Sequence, residues 1–219
     1  MSETSILIVE DEAIVAENLR SKLEHLGYAV AGIAGTGAAA VEMALEKRPQ
    51  LVLMDIQLGG KSDGIQTAET IQDGYDVPVI YLTAHSDPAT LSRAKLTGPF
   101  GYIIKPFDTR DLATQIELAL YKHQTDRQLR DHREWLRVTL TSIGDAVIAV
   151  DARGCITFLN PVAETLTGWR SEAVIGQPVT RVFRIINERT GQPVEDPVSV
   201  VLRERRVVPL ANHTAIITK

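Results

Sequence analysis

The sequence predicts an α/β protein: a doubly wound, five-stranded parallel sheet, then a long helix and a smaller, partial α+β region. Three observations carry that prediction. Over residues 5–120, five short apolar runs alternate with five amphipathic stretches, as strands buried on both faces and their crossover helices do. No Gly or Pro interrupts residues 108–143. After Gly144 the pattern turns to short strands set between turn residues.

The elements follow in order. Residues 5–10 (SILIVE) read as a buried strand. Residues 11–26 place apolar side chains at 15, 19, 23 and 26, which is helical spacing, and Gly27 ends the helix. Residues 28–34 form a second strand, and 37–47 an Ala-rich helix stopped by Pro49. Residues 51–55 (LVLMD) are a third strand and 64–72 a helix. Residues 78–83 (PVIYLT) are a fourth strand and 87–96 a helix. Residues 101–105 (GYIIK) are the fifth strand.

The long helix begins near Asp108. Leu129, Leu136 and Ile143 recur every seven residues with Leu140 between them, a stripe that suits a coiled-coil seam or packing on a domain surface. Residues 146–151 and 155–159, joined by a turn at 152–154, read as a hairpin. A short helix at 161–167 and a second near Ser171 follow. A looped stretch rich in Pro and Gly runs to about residue 197, then comes a helix near 198–202 and a strand at 212–218. The division expected is 1–122, a helical linker at 123–143, and 144–219.

Hydrophobic residues make up 44% of the chain and charged residues 23%, enough apolar surface to exclude a wholly disordered chain. The longest apolar runs are a few residues, whereas a membrane-spanning helix needs about 20. The start lacks the basic and apolar regions of a secretory signal. Cys155 is the only cysteine, so no internal disulfide or zinc cluster forms, and a cytoplasmic location is expected. The net charge of −5 is concentrated early: residues 1–107 hold fourteen acidic and eight basic side chains. No basic footprint for nucleic acid stands out.

In an open parallel sheet, sites form at the carboxyl ends of the strands. Here those ends carry Glu10-Asp11-Glu12, Asp55, Thr83-Ala84 and Lys105-Pro106. Clustered carboxylates repel, and a hard divalent cation such as Mg²⁺ relieves the repulsion through oxygen ligands. Lys105 suits a phosphoryl oxygen and Thr83 can donate to another. Asp55 is placed as a nucleophile toward phosphorus, since a carboxylate can form an acyl phosphate.

These pieces resemble the receiver domain of two-component response regulators. The matching motifs are ILIVED at 6–11, LVLMD at 51–55, DG at 63–64, LTA at 82–84 and GYIIKPF at 101–107. The resemblance implies a flavodoxin-like sheet of strand order 2-1-3-4-5, with Asp55 as phosphoacceptor. It implies Mg²⁺ held by Asp11, Asp55 and the carbonyl of Gln57, with Glu10 assisting through water. Thr83 and Lys105 would hold the phosphoryl group, Tyr102 would be the aromatic switch, and Lys105–Pro106 would be cis. The implied partner is a histidine kinase or phosphotransfer protein. Two departures concern one loop. Receivers usually carry a Met-Pro pair where this chain has Leu58-Gly59, and the span from Asp55 to Gly64 is one residue longer than the commonest form.

Residues 133–219 resemble the start of a PAS sensor domain, through GDAVIAVDARGCITFLNPVAETLTGW at 144–169 and Ile175-Gly176. PAS domains usually have five strands, and the residues here suffice for about three, so an incomplete domain is expected. Its exposed apolar face would favour a homodimer. Cys155 and His213 read as ordinary strand residues.

Two other classes deserve weight. Gly35-x-Gly37-x-x-Ala40, with Asp55 twenty residues beyond Gly35, loosely fits an NAD-binding fingerprint. It leaves Glu10, Asp11, Thr83 and Lys105 unused. A receiver-like interaction module that signals without phosphorylation is the other, and the intact acceptor set argues against it. Gly60-Lys61-Ser62 mimics the end of a P-loop, but the first glycine of that motif would fall at Asp55.

Overall fold

The computed structural model describes residues 4–59, 63–84, 99–210 and 213–218. The helix predicted at 87–96 and the mimic at 60–62 lie outside the described residues. The chain divides into two compact units, 1–130 and 131–219.

In the first unit, strands β1 (Ser5–Val9), β2 (Ala29–Ala34), β3 (Leu51–Asp55), β4 (Val79–Thr83) and β5 (Gly101–Ile104) form one sheet in the order β2-β1-β3-β4-β5. Every strand pair is parallel. Every residue of β3 and β4 is buried, which is why these strands read as continuous apolar runs rather than as alternation.

Helices cover both faces. On one side Leu7, Val9, Val52, Met54 and Tyr81 pack with Ala40, Ala44, Ala68 and Ile71 from helices α2 (Gly37–Lys47) and α3 (Gly64–Gly74). On the other, Ile6, Ile8, Leu51, Leu53 and Leu82 meet Ala16, Leu19 and Leu23 of α1 (Ala13–His25) and Leu112, Ile116 and Ala119 of α4 (Thr109–Ser142). Thr36 caps α2 by accepting from the Ala39 amide at 3.3 Å, a contact worth about 1 kcal/mol. The Lys105–Pro106 bond is cis.

In the second unit, β6 (Ile148–Val150) and β7 (Ile156–Leu159) form the predicted hairpin. Asp151 Oδ1 accepts from the amides of Arg153 and Cys155 at 2.8 and 2.9 Å, and Gly154 takes φ +78° in that turn. Helices α5 (Pro161–Thr167), α6 (Ser171–Val174), α7 (Val179–Val182) and α8 (Pro197–Glu204) follow.

The stretch read as loop up to 197 also holds a strand, β8 (Arg184–Asn187), paired antiparallel with β9 (Thr214–Ile217). Its residues, RIIN, are too few to show a period, so no alternation marks the strand. The strand near the end therefore has a neighbour that the sequence reading did not supply. Ile156 and Leu159 are buried with Ala163, Val174, Val179 and Val182, so this unit closes a small core of its own. His213 is not a strand residue; it sits before β9 at φ +66°. Cys155 is half-buried beside the hairpin turn.

Candidate functional site

Strand register brings the predicted site residues to one edge. Val9 lies beside Met54, Asp55 beside Leu82, and Thr83 beside Ile104. Glu10 and Lys105 each follow the last residue of a strand, and their amides extend the ladder. Glu10 N–H donates to Ala34 O at 2.9 Å, and Lys105 N–H to Thr83 O at 2.7 Å. Apolar strands buried on both faces thus deliver polar residues at the point where the sheet stops.

Glu10, Asp55 and Thr83 are almost wholly enclosed, at 2%, 6% and 7% exposure. A buried carboxylate needs a partner, and Lys105 provides it. Its Nζ donates to Glu10 Oε2 and to Asp55 Oδ2, both at 2.6 Å. Burial pushes the Glu10 carboxyl above its ordinary range; the Lys105 hydrogen bond opposes this and the Asp55 charge adds to it. Burial pulls the Lys105 ammonium down, but its bonds to Asp55 and Glu10 outweigh that and hold it above the usual lysine value. Lys105 is therefore charged at neutral pH, and it joins the ends of three strands.

Asp55 Oδ1 accepts from the Gln57 amide at 2.9 Å. Asp11 is exposed, and its Oδ2 accepts from the Gly59 amide at 2.9 Å. Carboxylate oxygens of Glu10, Asp11 and Asp55 lie within 4.8 Å of one another. Three carboxylates with no nitrogen or sulfur donor make an oxygen-only set, which fits a hard divalent cation. The electrostatics agree, since Lys105 compensates only part of that negative charge.

The remaining predicted residues fall beside this cluster. Asp63 caps α3 by accepting from the Ile65 amide at 3.0 Å, so the Asp-Gly pair starts a helix. Gly64 packs against the acceptor strand; a Cβ there would lie 1.9 Å from Asp55 O. Tyr102 sits on β5 with its ring 5.9 Å from that of Tyr81. Its hydroxyl is buried without a hydrogen-bond partner among the described residues, and burial raises its pKa. The NAD-like reading needs Asp55 for a ribose, whereas Asp55 is engaged by Lys105 at a shared edge. The Gly59 amide escaped the sequence reading; the available signal was the glycine standing where receivers usually have proline.

The model of the response regulator receiver domain matches residues 6–117. The chain belongs to the response regulator receiver family. A PAS fold follows at residues 134–209. The receiver part is 40% identical over 115 residues to the transcriptional regulatory protein PdtaR of Mycobacterium tuberculosis, covering 52% of this chain and 56% of that one. The chain thus spans about half the length of the curated relatives it matches. Among solved structures, this receiver resembles the signal receiver domain of a modulated diguanylate cyclase from Desulfovibrio desulfuricans. The TM-score is 0.55 with 40% identity, covering 57% of this chain and 99% of that one. It also resembles the receiver domain of sensor histidine kinase PA1611 from Pseudomonas aeruginosa, described with a magnesium ion coordinated in its active-site cleft. There the TM-score is 0.50 with 29% identity, covering 54% of this chain and 98% of that one. Among the described residues no helix is long and apolar enough to cross a membrane.

Proposed function

We propose that this response regulator accepts a phosphoryl group on Asp55 from a histidine kinase or a phosphotransfer protein, with Mg²⁺ as its cation. The observation that carries the reading is Lys105 Nζ at 2.6 Å from both Asp55 and Glu10, beside the carboxylate of Asp11. A carboxylate oxygen of Asp55 attacks phosphorus. The phosphorus–nitrogen bond of the donor histidine breaks, and the leaving imidazole takes up a proton. Lys105 then pairs with a phosphoryl oxygen in place of the carboxylate, and Thr83 donates to another. Asp11, Asp55, Glu10 and the Gln57 carbonyl would hold the cation, which would offset the negative charge gathered on the carboxylates and the phosphoryl oxygens. Such transfer depends mainly on positioning and charge stabilisation.

The output side of the reading assigns 1–122 to the receiver, 123–143 to a dimerising linker and 144–219 to the PAS segment, in a homodimer. Its support is the exposure of Leu129 and Leu136 on α4 and of Ile143 just past its end, at seven-residue spacing, where a helix exposed all round is marginal alone. Tyr102 would turn when Thr83 engages phosphate.

The test is incubation with acetyl phosphate and Mg²⁺ followed by intact mass. A single phosphoryl adduct is expected, absent in Asp55→Asn and without Mg²⁺. An adduct that persists in Asp55→Asn would defeat the assignment, and no adduct in the wild type would favour a module that signals unphosphorylated.

A further inference from the structure

We infer that Gly59 is a positioning residue for Asp11: its amide and its missing side chain together set the carboxylate that reaches the cation, an inference that rests on the Mg²⁺ reading above. The residues are 48 positions apart, and Gly59 N–H donates to Asp11 Oδ2 at 2.9 Å. A Cβ on Gly59 would lie 2.5 Å from Asp11 Oδ2 and 3.5 Å from its Cγ. The space next to the Gly59 backbone is thus filled by the Asp11 carboxylate itself.

Among the described residues no other feature requires glycine here. Gly59 does not take the left-handed conformation found at Gly27 or Gly154. The three nearest atoms that a Cβ would meet among the described residues all belong to Asp11. Proline, usual in receivers at this point of the loop, has no N–H to donate. The loop departure noted in the sequence therefore has a structural counterpart: this chain substitutes an amide donor.

In this chain the Gly59 amide is the donor that holds Asp11. Unlike Glu10 and Asp55 it is exposed, so burial does not fix its rotamer. A ligating carboxylate is oriented by the hydrogen bonds it accepts, and losing such an outer partner typically costs about 10–100-fold in metal affinity. The neighbour that a Cβ would displace is the end of a short, solvent-facing side chain. A substitution at 59 therefore moves the carboxylate without disturbing the core.

The experiment is a Mg²⁺ titration of the 219-residue chain by isothermal calorimetry, with melting temperature measured in parallel. Gly59→Ala is expected to weaken Mg²⁺ binding by about tenfold or more, with an unchanged melting temperature. Gly59→Pro, which removes the donor, is expected to do the same. An affinity in Gly59→Ala indistinguishable from wild type overturns the inference and leaves the metal reading standing. Weakening in Gly59→Ala with none in Gly59→Pro overturns the role given to the amide. A wild-type chain that binds no Mg²⁺ overturns the metal reading, and this inference with it.

Discussion

His123 Nε2 lies 3.0 Å from Asp76 Oδ1, tying α4 to the segment that follows α3 across 47 residues of sequence. Arg130 Nη2 reaches the other oxygen of Asp76 at 2.5 Å. The His123 and Phe100 rings pack nearly perpendicular with centroids 5.3 Å apart, and Lys122 Nζ sits over the Phe100 ring. One carboxylate therefore holds two turns of α4 within the first unit, just where the helix loses its apolar contacts to the sheet.

The first prediction concerns acid. Burial raises the Asp76 carboxyl, but the bonds and charges of His123 and Arg130 outweigh it and hold it below its ordinary value of 3.8. The folded value is lower than the unfolded one, so the clasp stabilises above that ordinary value and fades as pH falls through the folded value. The Asp76 side chain is 55% exposed, so solvent screens the pair and the gain is about 0.2–1 kcal/mol. At neutral pH, Asp76→Asn should speed amide exchange over residues 120–130 by roughly two- to fivefold. The difference from wild type should shrink in acid. Equal exchange in the two proteins at neutral pH would show that the clasp carries no stability.

The second prediction is Lys105→Met. The two carboxylates lose their shared cation, and the phosphoryl group loses the charge that would stabilise it in transfer. Removing one such preorganised donor typically costs about 10²–10³ in rate. Labelling of Asp55 by acetyl phosphate should fall on that scale while the mass adduct stays on the same residue. A labelling rate equal to wild type would remove Lys105 from the phosphoryl site.

Much of this was legible because the first unit obeys strong rules. Strands buried on both faces give apolar runs such as 51–55, and the residues just past them are polar. Chain order alone could then bring Glu10, Asp55, Thr83 and Lys105 to one edge. What stayed hidden depends on pairs that no local rule couples. The Asp76–His123 contact joins an exposed aspartate to a largely buried histidine 47 residues on. The Gly59 amide is a backbone group whose partner lies 48 residues away. Strand β8 escaped because four residues between a short helix and a turn show no period. Its pairing with β9 is fixed by tertiary contact rather than by pattern.

The third prediction uses Gly64. A Cβ there would lie 1.9 Å from Asp55 O and 2.9 Å from Asp55 C. Both atoms are backbone, so the acceptor strand or α3 must shift. Overpacking of this kind costs about 1–3 kcal/mol. Gly64→Ala should lower the melting temperature and also slow labelling of Asp55, because the displaced atoms belong to the acceptor residue. A variant with unchanged stability would mean that the close approach is absent in solution.

The last prediction concerns Asn160, fully buried at 0% exposure. Its Oδ1 accepts from the amides of Val147 and Ala163, each at 2.9 Å. Its Nδ2 donates to Asp145 O at 2.8 Å and to Leu140 O at 3.2 Å. One side chain thus caps α5, anchors the start of the hairpin and binds the end of α4. An asparagine suits this task because it carries two donors and an acceptor of two bonds in one plane. Asn160→Ala leaves those backbone groups without their partner. Each unsatisfied buried group costs about 1–3 kcal/mol, although water entering the gap recovers part of it, so a net loss of about 2–4 kcal/mol is expected. Asn160→Asp keeps the acceptor but cannot donate to Leu140 and Asp145, and it sets a buried carboxylate oxygen against their carbonyls, so it should lose at least as much as Asn160→Ala. Trp169 packs on the core of the second unit, so its fluorescence reports this unfolding, with Trp135 exposed on α4 as a constant background. The midpoint in urea should drop in both variants, in Asn160→Asp at least as far as in Asn160→Ala. An unchanged midpoint in Asn160→Ala would mean that the hairpin and α5 hold together through the apolar contacts of Ile156, Leu159 and Ala163 alone.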